Sequence, residues 1–313
     1  MPQFLVGADV KWMRLRKYTY TFSAVVTLIG IASIVAHGGL NFGIDFSGGR
    51  LIHLTTNQPI AVEEVRNVVE DAGFPGAEIQ EIGEHGRQFQ VRVALGEDVG
   101  QPGVASPSTT ITSSLESKHP GLEAVVDREE TVGPKVGQEL RGKALWAILW
   151  SVAGILVYIG IRYEFKFALG AVIAIFHTVF FTIAILSLLD KEFTIPIVAA
   201  LLTLAGYSVN DTVVVFDRIR EQRPMHRRDR LTDIIDLSVN QTLSRTMITF
   251  PTVLLPIYGL LFLGGDVIHD FAFAMLVGVT VGTYSSVFVA SALALDITNW
   301  FEKRKVQPVP AAR

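Results

Sequence analysis

Six long apolar segments constrain the fold of this chain more than any other feature of its sequence. A helix that spans a bilayer needs roughly 20 mainly apolar residues. The six segments cover residues 18–36, 144–161, 167–189, 194–216, 246–263 and 271–297. Charged residues make up 18% of the chain, whereas soluble globular proteins carry about 25%. The sequence therefore predicts an α-helical polytopic membrane protein with six transmembrane helices.

The positive charges between these segments predict how the chain crosses the membrane, because short cytoplasmic loops are rich in Lys and Arg. Basic residues precede the first segment, separate the second from the third and the fourth from the fifth, and follow the sixth. The short loops at 190–192 and 264–270 hold one lysine between them. We therefore expect the parts on the cytoplasmic side to be an N-terminus (1–17), a loop (217–245) and a tail (298–313).

The charge balance and the absence of cysteine exclude several classes of site. The net charge is −3, which gives no case for nucleic-acid binding. The chain contains no cysteine, so neither disulfides nor thiolate metal sites can form.

The segment 37–143 is expected outside the cytoplasm, and its pattern predicts one small α+β domain. Alternating apolar residues indicate strands and apolar residues at helical spacing indicate helices. In order, the predicted elements are a strand at 49–56, a helix at 61–70, strands at 77–82 and 88–94 joined by the loop GEHGR, a helix at 107–118 and a strand at 122–126 that extends toward Thr131. The order β-α-β-β-α-β predicts a ferredoxin-like fold.

The stretch FGIDFSGG, residues 42–49, joins the first apolar segment to this domain. We interpret it as a linker turn in which Asp45 and Ser47 act as caps. Gly48 and Gly49 then supply backbone angles that other residues avoid. No Lys-Ser or Lys-Thr pair follows these glycines, so the stretch is not a phosphate-binding loop.

An aspartate inside the fourth apolar segment is the main candidate functional residue. Asp211 stands in the run SVNDT together with Ser208, Asn210 and Thr212. A carboxylate near the middle of a spanning helix costs ~2.5–3.5 kcal/mol on insertion scales. On a helix, one side carries Thr203, Tyr207, Asn210, Asp211 and Val214, and we expect this polar side to face the interior of the helix bundle.

The next segment supplies a candidate partner, Arg245. It belongs to a polar stripe with Thr242, Thr249 and Thr252, which enters the membrane if the fifth helix begins before residue 246. Asp211 and Arg245 then lie at compatible depths near the cytoplasmic side. Burial disfavours the charged form of a carboxylate and a nearby arginine favours it. Such a balance is typical of a proton site that a change of conformation can switch.

Each of these polar residues also has a structural interpretation. Asp211 could merely fix helix packing, and Arg245 could extend its charge to the cytoplasmic interface. Asp217 and Asp296 are interpreted as helix-end residues, and His177 as a hydrogen-bonded packing residue.

The last apolar segment carries a seam of small residues four apart, which allows close helix packing either within the bundle or against another subunit. The seam consists of Gly278, Gly282, Ser286, Ala290 and Ala294.

Four motifs in this order and topology resemble the SecF family of protein-export membrane subunits, which is similar to transporters of the resistance–nodulation–division superfamily. They are FGIDFSGG (42–49), VGPKVGQELRGKAL (132–145), GYSVNDTVVVFDRIRE (206–221) and SRT (244–246). The resemblance covers nearly the whole chain. It implies that the proton-coupling acid of the family falls on Asp211 and its basic partner on Arg245.

The resemblance also implies partners and a location. A family member pairs with a homologous SecD subunit in the bacterial inner membrane. The pair uses the proton-motive force to help proteins cross the SecYEG channel, through which the ATPase SecA drives preproteins. We see no SecD half in this sequence and expect the pair to form between two chains. We also expect no cofactor other than the coupling proton.

Two other functions remain open from the residues alone. One is a proton-coupled transporter of small molecules or lipids, although such proteins usually carry two six-span halves and larger extracytoplasmic domains. The other is a scaffold subunit without proton chemistry. An enzyme is not expected, because the sequence shows no nucleotide loop, metal-ligand cluster or nucleophile–base arrangement.

Overall fold

The structure is a computed structural model that describes residues 9–82, 86–94, 106–163 and 165–306. The chain divides into two compact units, of which Met1–Asn41 with Trp146–Arg313 form one and Phe42–Leu145 the other. In chain order the elements are α1 (Arg16–Ala36), α2 (Ile44–Ser47), β1 (Gly49–Thr56), α3 (Val62–Asp71), β2 (Glu78–Glu81), β3 (Gln88–Val93), α4 (Pro107–Lys118), β4 (Ala124–Val132), α5 (Pro134–Arg162), α6 (Phe165–Leu188), α7 (Ile195–Met225), α8 (Leu231–Leu263), α9 (Asp266–Ser285) and α10 (Ser291–Val306). A 3-10 helix, Trp12–Arg14, precedes α1, and a π-helical turn, Ser286–Ala290, joins α9 to α10.

The smaller unit has the predicted ferredoxin-like fold. Its four strands lie in the order β2-β3-β1-β4 and every neighbouring pair is antiparallel. Alternate residues of the central strands, such as Ile52 and Val91, are fully buried. They form one core with Ile111 and Leu115 of α4 and with apolar residues of α3, as the period of two in a half-buried strand requires. The strands β2 and β3 pair as expected, while residues 83–85 of the predicted GEHGR loop lie outside the described ranges.

The linker stretch 42–49 is a short helix followed by two glycines with positive φ. The φ angles of Gly48 and Gly49 are 73° and 138°, which favour glycine over residues with a side chain. α2 begins after Gly43, and Asp45 lies in its first turn; its role as a cap stays a prediction. The Ser47 hydroxyl donates to the carbonyl oxygen of Gly43 at 2.9 Å.

The same linker packs against the start of α5. A Cβ atom added at Gly48 would lie 2.8 Å from Pro134 Cα, and one at Gly137 would lie 3.0 Å from the Phe46 carbonyl oxygen. The guanidinium of Arg141 lies over the Phe42 ring, 4.6 Å from its centroid. Two motifs that are far apart in the sequence therefore form a single backbone-to-backbone contact.

Within the described ranges, six helices are long and apolar enough to cross a membrane, as predicted. They are Arg16–Ala36, Pro134–Arg162, Phe165–Leu188, Ile195–Met225, Leu231–Leu263 and the run Ile268–Lys303. α6 and the run containing α9 and α10 bury more than half of their most apolar stretches, whereas α1, α5 and α8 leave most of theirs exposed.

The stretch 217–245, predicted as a loop, is mostly helical. α7 continues to Met225 and α8 already begins at Leu231, so residues 226–230 form the connection. Hydropathy detects the apolar part of a helix only, and this stretch is rich in Arg, which is a good helix former in water. α8 therefore begins before residue 246, which is the condition set for the polar stripe around Arg245 to enter the membrane.

Candidate functional site in the helical unit

Asp211 lies on α7 and is buried within the chain. Its residue exposure is 4%, and its Oδ2 atom has no hydrogen-bond partner among the described residues. Buried polar atoms in proteins are almost always paired, so an exception needs a specific explanation. An unpaired carboxylate oxygen can bind a proton, or it can accept a hydrogen bond from water or from a group of another chain. In the described ranges, no three His, Asp or Glu side chains are grouped so as to hold a metal ion.

Unpartnered polar atoms concentrate around this residue. The described part of the chain contains seven buried side-chain atoms without a hydrogen bond, and three of them belong to Tyr207, Ser208 and Asp211. A fourth, Nε2 of His177, lies on the neighbouring helix α6. The concentration distinguishes this stretch of α7 from the rest of the bundle and marks it as the candidate functional site.

A hydroxyl contact joins α7 to the π-helical turn beside Asp211. Thr212 Oγ1 lies 3.1 Å from Ser286 Oγ and 3.0 Å from the Ser208 carbonyl oxygen. Ser286 opens the π-helical turn, and its carbonyl oxygen accepts from the Ser291 hydroxyl at 3.0 Å. Single π turns inside α-helices occur frequently at functional sites. The sequence analysis missed this turn, because its apolar pattern does not differ from that of an α-helix.

The predicted seam of small residues brings these helices together within the bundle. A Cβ atom at Gly278 would overlap the side chain of Leu204, and one at Gly282 would lie 3.6 Å from Ser208 Cβ. Further along the seam, Ala294 backbone atoms pack against Gly170 of α6. The seam is therefore the contact of this last helical run with α6 and α7. Of the two alternatives that the sequence left open, the seam packs within the bundle.

Arg245 lies on α8, the helix that follows α7 in the chain and packs against it. Its charge acts on Asp211, but among the described residues no ion pair joins the two side chains. Arg245 is exposed on the surface of this chain, whereas Asp211 is buried. The structure thus brings the predicted acid and base near one another without pairing them.

One face of α7 is polar and is not covered by this chain. Thr203, Gly206 and Asn210 are exposed, so the prediction that Thr203 and Asn210 face the bundle interior is wrong. Asp211 lies at the edge between this face and the interior, because helix positions 210 and 211 point about 100° apart. The neighbouring residues Ser208 and Thr212 are buried.

Three further polar residues have definite partners. Asp217 forms an ion pair with Arg162 at 3.8 Å and lies two turns before the end of α7, not at the end as predicted. Asp296 lies within α10, not at a helix end; it accepts from the Tyr20 hydroxyl at 3.1 Å and pairs with Arg16 at 3.6 Å. His177 packs as predicted, with Nδ1 3.3 Å from Ser285 Oγ.

A contact that the sequence did not reveal fixes the segment before α1 to α8. Asp236 Oδ1 accepts from the Met13 backbone N–H at 2.8 Å, and Asn240 Oδ1 accepts from Trp12 Nε1 at 2.8 Å. The Trp12 ring also meets the Phe288 ring of the π-helical turn edge to face, with centroids 5.3 Å apart. We call residues 10–14 the N-terminal clamp, since they touch both α8 and the π-helical turn.

Together these features define a multi-pass membrane protein with a polar centre inside its helix bundle. The family described as "Protein export membrane protein SecD/SecF, C-terminal" matches residues 111–300, and the "SecD/SecF GG Motif" matches residues 34–60. The protein translocase subunit SecF of Desulfurispirillum indicum is 41% identical over 302 residues, which cover 96% of this chain and 94% of that relative. The chain belongs to the SecD/SecF family of protein-export membrane proteins.

A longer relative and two SecDF structures match the chain over part of their length. The SecDF subunit of Thermus thermophilus is 38% identical over 316 residues, which are 99% of this chain and 41% of that protein. The crystal structure of Thermus SecDF, a translocon-associated membrane protein, superposes with a TM-score of 0.84 over 95% of this chain and 40% of that one. SecDF in a super-membrane-facing form gives a TM-score of 0.71 at 37% identity, over 97% of this chain and 41% of that one.

Proposed function

We propose that the chain acts as the SecF subunit of a SecD–SecF pair in the bacterial inner membrane. In this proposal it uses the proton-motive force to promote late steps of protein translocation through the SecYEG channel, with SecA driving the preprotein. Both termini and the connection between α7 and α8 lie in the cytoplasm. No cofactor other than the proton and no enzymatic activity are expected. Membership of the SecD/SecF family supports the role in export.

The observation that carries the proton part of the proposal is the buried and unpaired carboxylate of Asp211. A permanently charged carboxylate would need a close partner, and a permanently neutral one would serve packing no better than Asn. Oδ2 of Asp211 has no protein partner, and the Arg245 charge acts on the residue from outside the bundle. A group in this position can take up and release a proton as its access and its distance from Arg245 change.

The energy available from a proton is sufficient for such a switch. One charge that crosses the membrane supplies ~2.3 kcal/mol per 100 mV of potential, and each pH unit of gradient adds ~1.4 kcal/mol. A ligand can shift a two-state equilibrium by its difference in affinity for the two states. Two SecDF structures of nearly equal identity to this chain superpose on it with TM-scores of 0.84 and 0.71, which supports two conformations in the family.

The uncovered polar face of α7 supports a partner in the membrane. Asn210 and Arg245 are exposed on this chain, and lipid tails would satisfy the polar groups of neither. The SecDF relative continues well beyond the part that this chain matches. We assign SecD to this face, where it would enclose Asp211 and Arg245 in one site.

Export of a preprotein with and without a proton-motive force tests the proposal. The membranes carry SecD with either the native chain, Asp211→Asn, or the control Asp229→Asn, which removes an exposed carboxylate from the turn after α7. We expect Asp211→Asn to lose the increment that depends on the proton-motive force and to assemble with SecD normally. The control retains the increment. If Asp211→Asn also retains the increment, Asp211 is a packing residue. The subunit is then a scaffold, or SecD carries the coupling proton.

A further inference from the structure

A cavity of about 480 Å³ lies at the end of α7 that follows the candidate site. Three arginines line it, namely Arg162 at the end of α5 and Arg220 and Arg223 in the last turns of α7. The cavity is also lined by three aromatic residues, Tyr163, Phe167 and Phe216. The cavity does not overlap the Asp211 site, and the proposed proton coupling leaves it without a role.

The arginines come from two separate parts of the chain and are held next to each other. Arg220 Nη1 donates to the Arg162 carbonyl oxygen at 3.5 Å. Arg162 pairs with Asp217 at 3.8 Å, which is a long ion pair, and its guanidinium lies 5.8 Å from the Tyr163 ring centroid. Arg220 forms no ion pair with any described residue. Among the described residues, the charge of Arg220 is therefore not balanced by an ion pair.

The floor of the cavity is formed by aromatic side chains. Tyr163, Phe167 and Phe216 are almost fully buried, and the Phe216 ring meets the other two edge to face, at centroid distances of 6.2 and 5.1 Å. Two large apolar side chains beside the cavity are instead exposed, Ile161 at 83% and Phe165 at 62%. The arginine rim thus adjoins an apolar surface.

We propose that this cavity binds the phosphate headgroup of an anionic phospholipid from the cytoplasmic leaflet. Arginine guanidinium groups bind phosphate oxygens through charge-assisted, often bidentate hydrogen bonds. Basic pockets between transmembrane helices on the cytoplasmic side bind acidic lipid headgroups. In this proposal the acyl chains leave the cavity over Ile161 and Phe165, which are exposed on this chain.

The lining favours a lipid over a soluble phosphate compound. Sites for soluble phosphates typically use backbone N–H groups at helix N-termini or in glycine-rich loops. This cavity is formed by the C-terminal ends of α5 and α7 and by aromatic rings. A free phosphate would gain nothing from the aromatic floor or the apolar side chains beside it, whereas a phospholipid uses both.

Lipid binding to the full-length chain in neutral detergent tests the proposal, with native mass spectrometry as the readout. The native chain, Arg220→Gln/Arg223→Gln and the control Arg227→Gln/Arg228→Gln are each titrated with phosphatidylglycerol and phosphatidylcholine. The control removes two exposed arginines of the neighbouring turn and changes the net charge equally. We expect the apparent Kd for phosphatidylglycerol to rise by about tenfold or more in the cavity variant and to stay unchanged in the control.

Three results would overturn the assignment. The first is an equal change in the two double variants, which would mean that general charge attraction accounts for binding. The second is equal affinity of the native chain for the two lipids, a test that needs no variant and therefore does not depend on how a variant folds. The third is displacement of phosphatidylglycerol by equimolar sn-glycerol 3-phosphate, which would assign the cavity to a soluble phosphate compound.

Discussion

At the scale of single residues, the candidate site contains buried polar groups that lower the stability of the fold. Asp211 is buried with Oδ2 unpartnered, and the neighbouring Tyr207 and Ser208 each bury an unpaired hydroxyl. A buried charge without a partner destabilises a fold, and so does a buried polar group without a hydrogen bond. Functional sites often carry such a cost. Asp296 differs, because Tyr20 and Arg16 satisfy it.

This difference predicts opposite effects of the same substitution at two positions. Asp211→Asn replaces an unpaired buried carboxyl by a neutral group of the same shape, so the Tm of the chain in detergent should stay equal or rise. Asp296→Asn weakens a hydrogen bond and an ion pair, so it should cost about 1 kcal/mol. Thermal unfolding of the two variants and the native chain measures both. A loss at Asp211 as large as that at Asp296 would show that Asp211 is a packing residue.

At the scale of elements, the N-terminal clamp holds α8, the helix that carries Arg245. Asp236 and Asn240 lie on α8 before Arg245, and they bind the backbone of Met13 and the indole of Trp12. Trp12 in turn packs on Phe288 of the π-helical turn, next to the hydroxyl contact with α7. The clamp therefore connects the elements on either side of the site.

Removal of the Asp236 carboxylate should release the clamp. Asp236→Ala leaves the buried Met13 N–H without an acceptor, which costs about 1–3 kcal/mol. Hydrogen exchange measured by mass spectrometry should then show faster exchange of the amides of residues 10–14. The matched control is Asp233→Ala, an exposed carboxylate on the same helix. Equal protection of the clamp in both variants would contradict the assigned role.

The elements themselves could largely be predicted from the sequence, since each has a clear period. The strand at 49–56 and the helix at 107–118 agree with β1 and α4 in both bounds. Where the prediction failed, the sequence was polar but helical: α7 and α8 extend into the basic stretch at 217–245. The π-helical turn and the clamp could not be predicted, because both depend on contacts between residues far apart in the chain.

At the scale of the whole molecule, the two units and six spanning helices follow from hydropathy and charge. The contact between the linker glycines and the start of α5 was not predicted, because it joins backbone atoms of two segments that are far apart in the sequence. The geometry of the candidate site was predicted in part. Asp211 could be recognised because a carboxylate in an apolar helix is rare, but the exposure of Asn210 could not, because helical periodicity does not show which face a neighbour covers.

The proposed orientation can be tested by cysteine labelling, because the chain contains no cysteine of its own. Ser113→Cys places a thiol on the exposed side of α4, and Arg228→Cys places one in the turn between α7 and α8. In right-side-out membrane vesicles, a maleimide that cannot cross membranes should label the first. It should label the second only after the vesicles are opened. The reverse pattern would place the ferredoxin-like domain in the cytoplasm.

Proton entry into liposomes tests the central claim most directly. The chain is reconstituted with SecD, a pH-sensitive dye is enclosed, and an inward proton-motive force is imposed, with the native chain and Asp211→Asn compared at equal protein content. The account predicts that the native pair carries protons faster than empty liposomes and that Asp211→Asn falls to the background rate. Equal proton entry with the two forms would show that Asp211 is not the coupling residue.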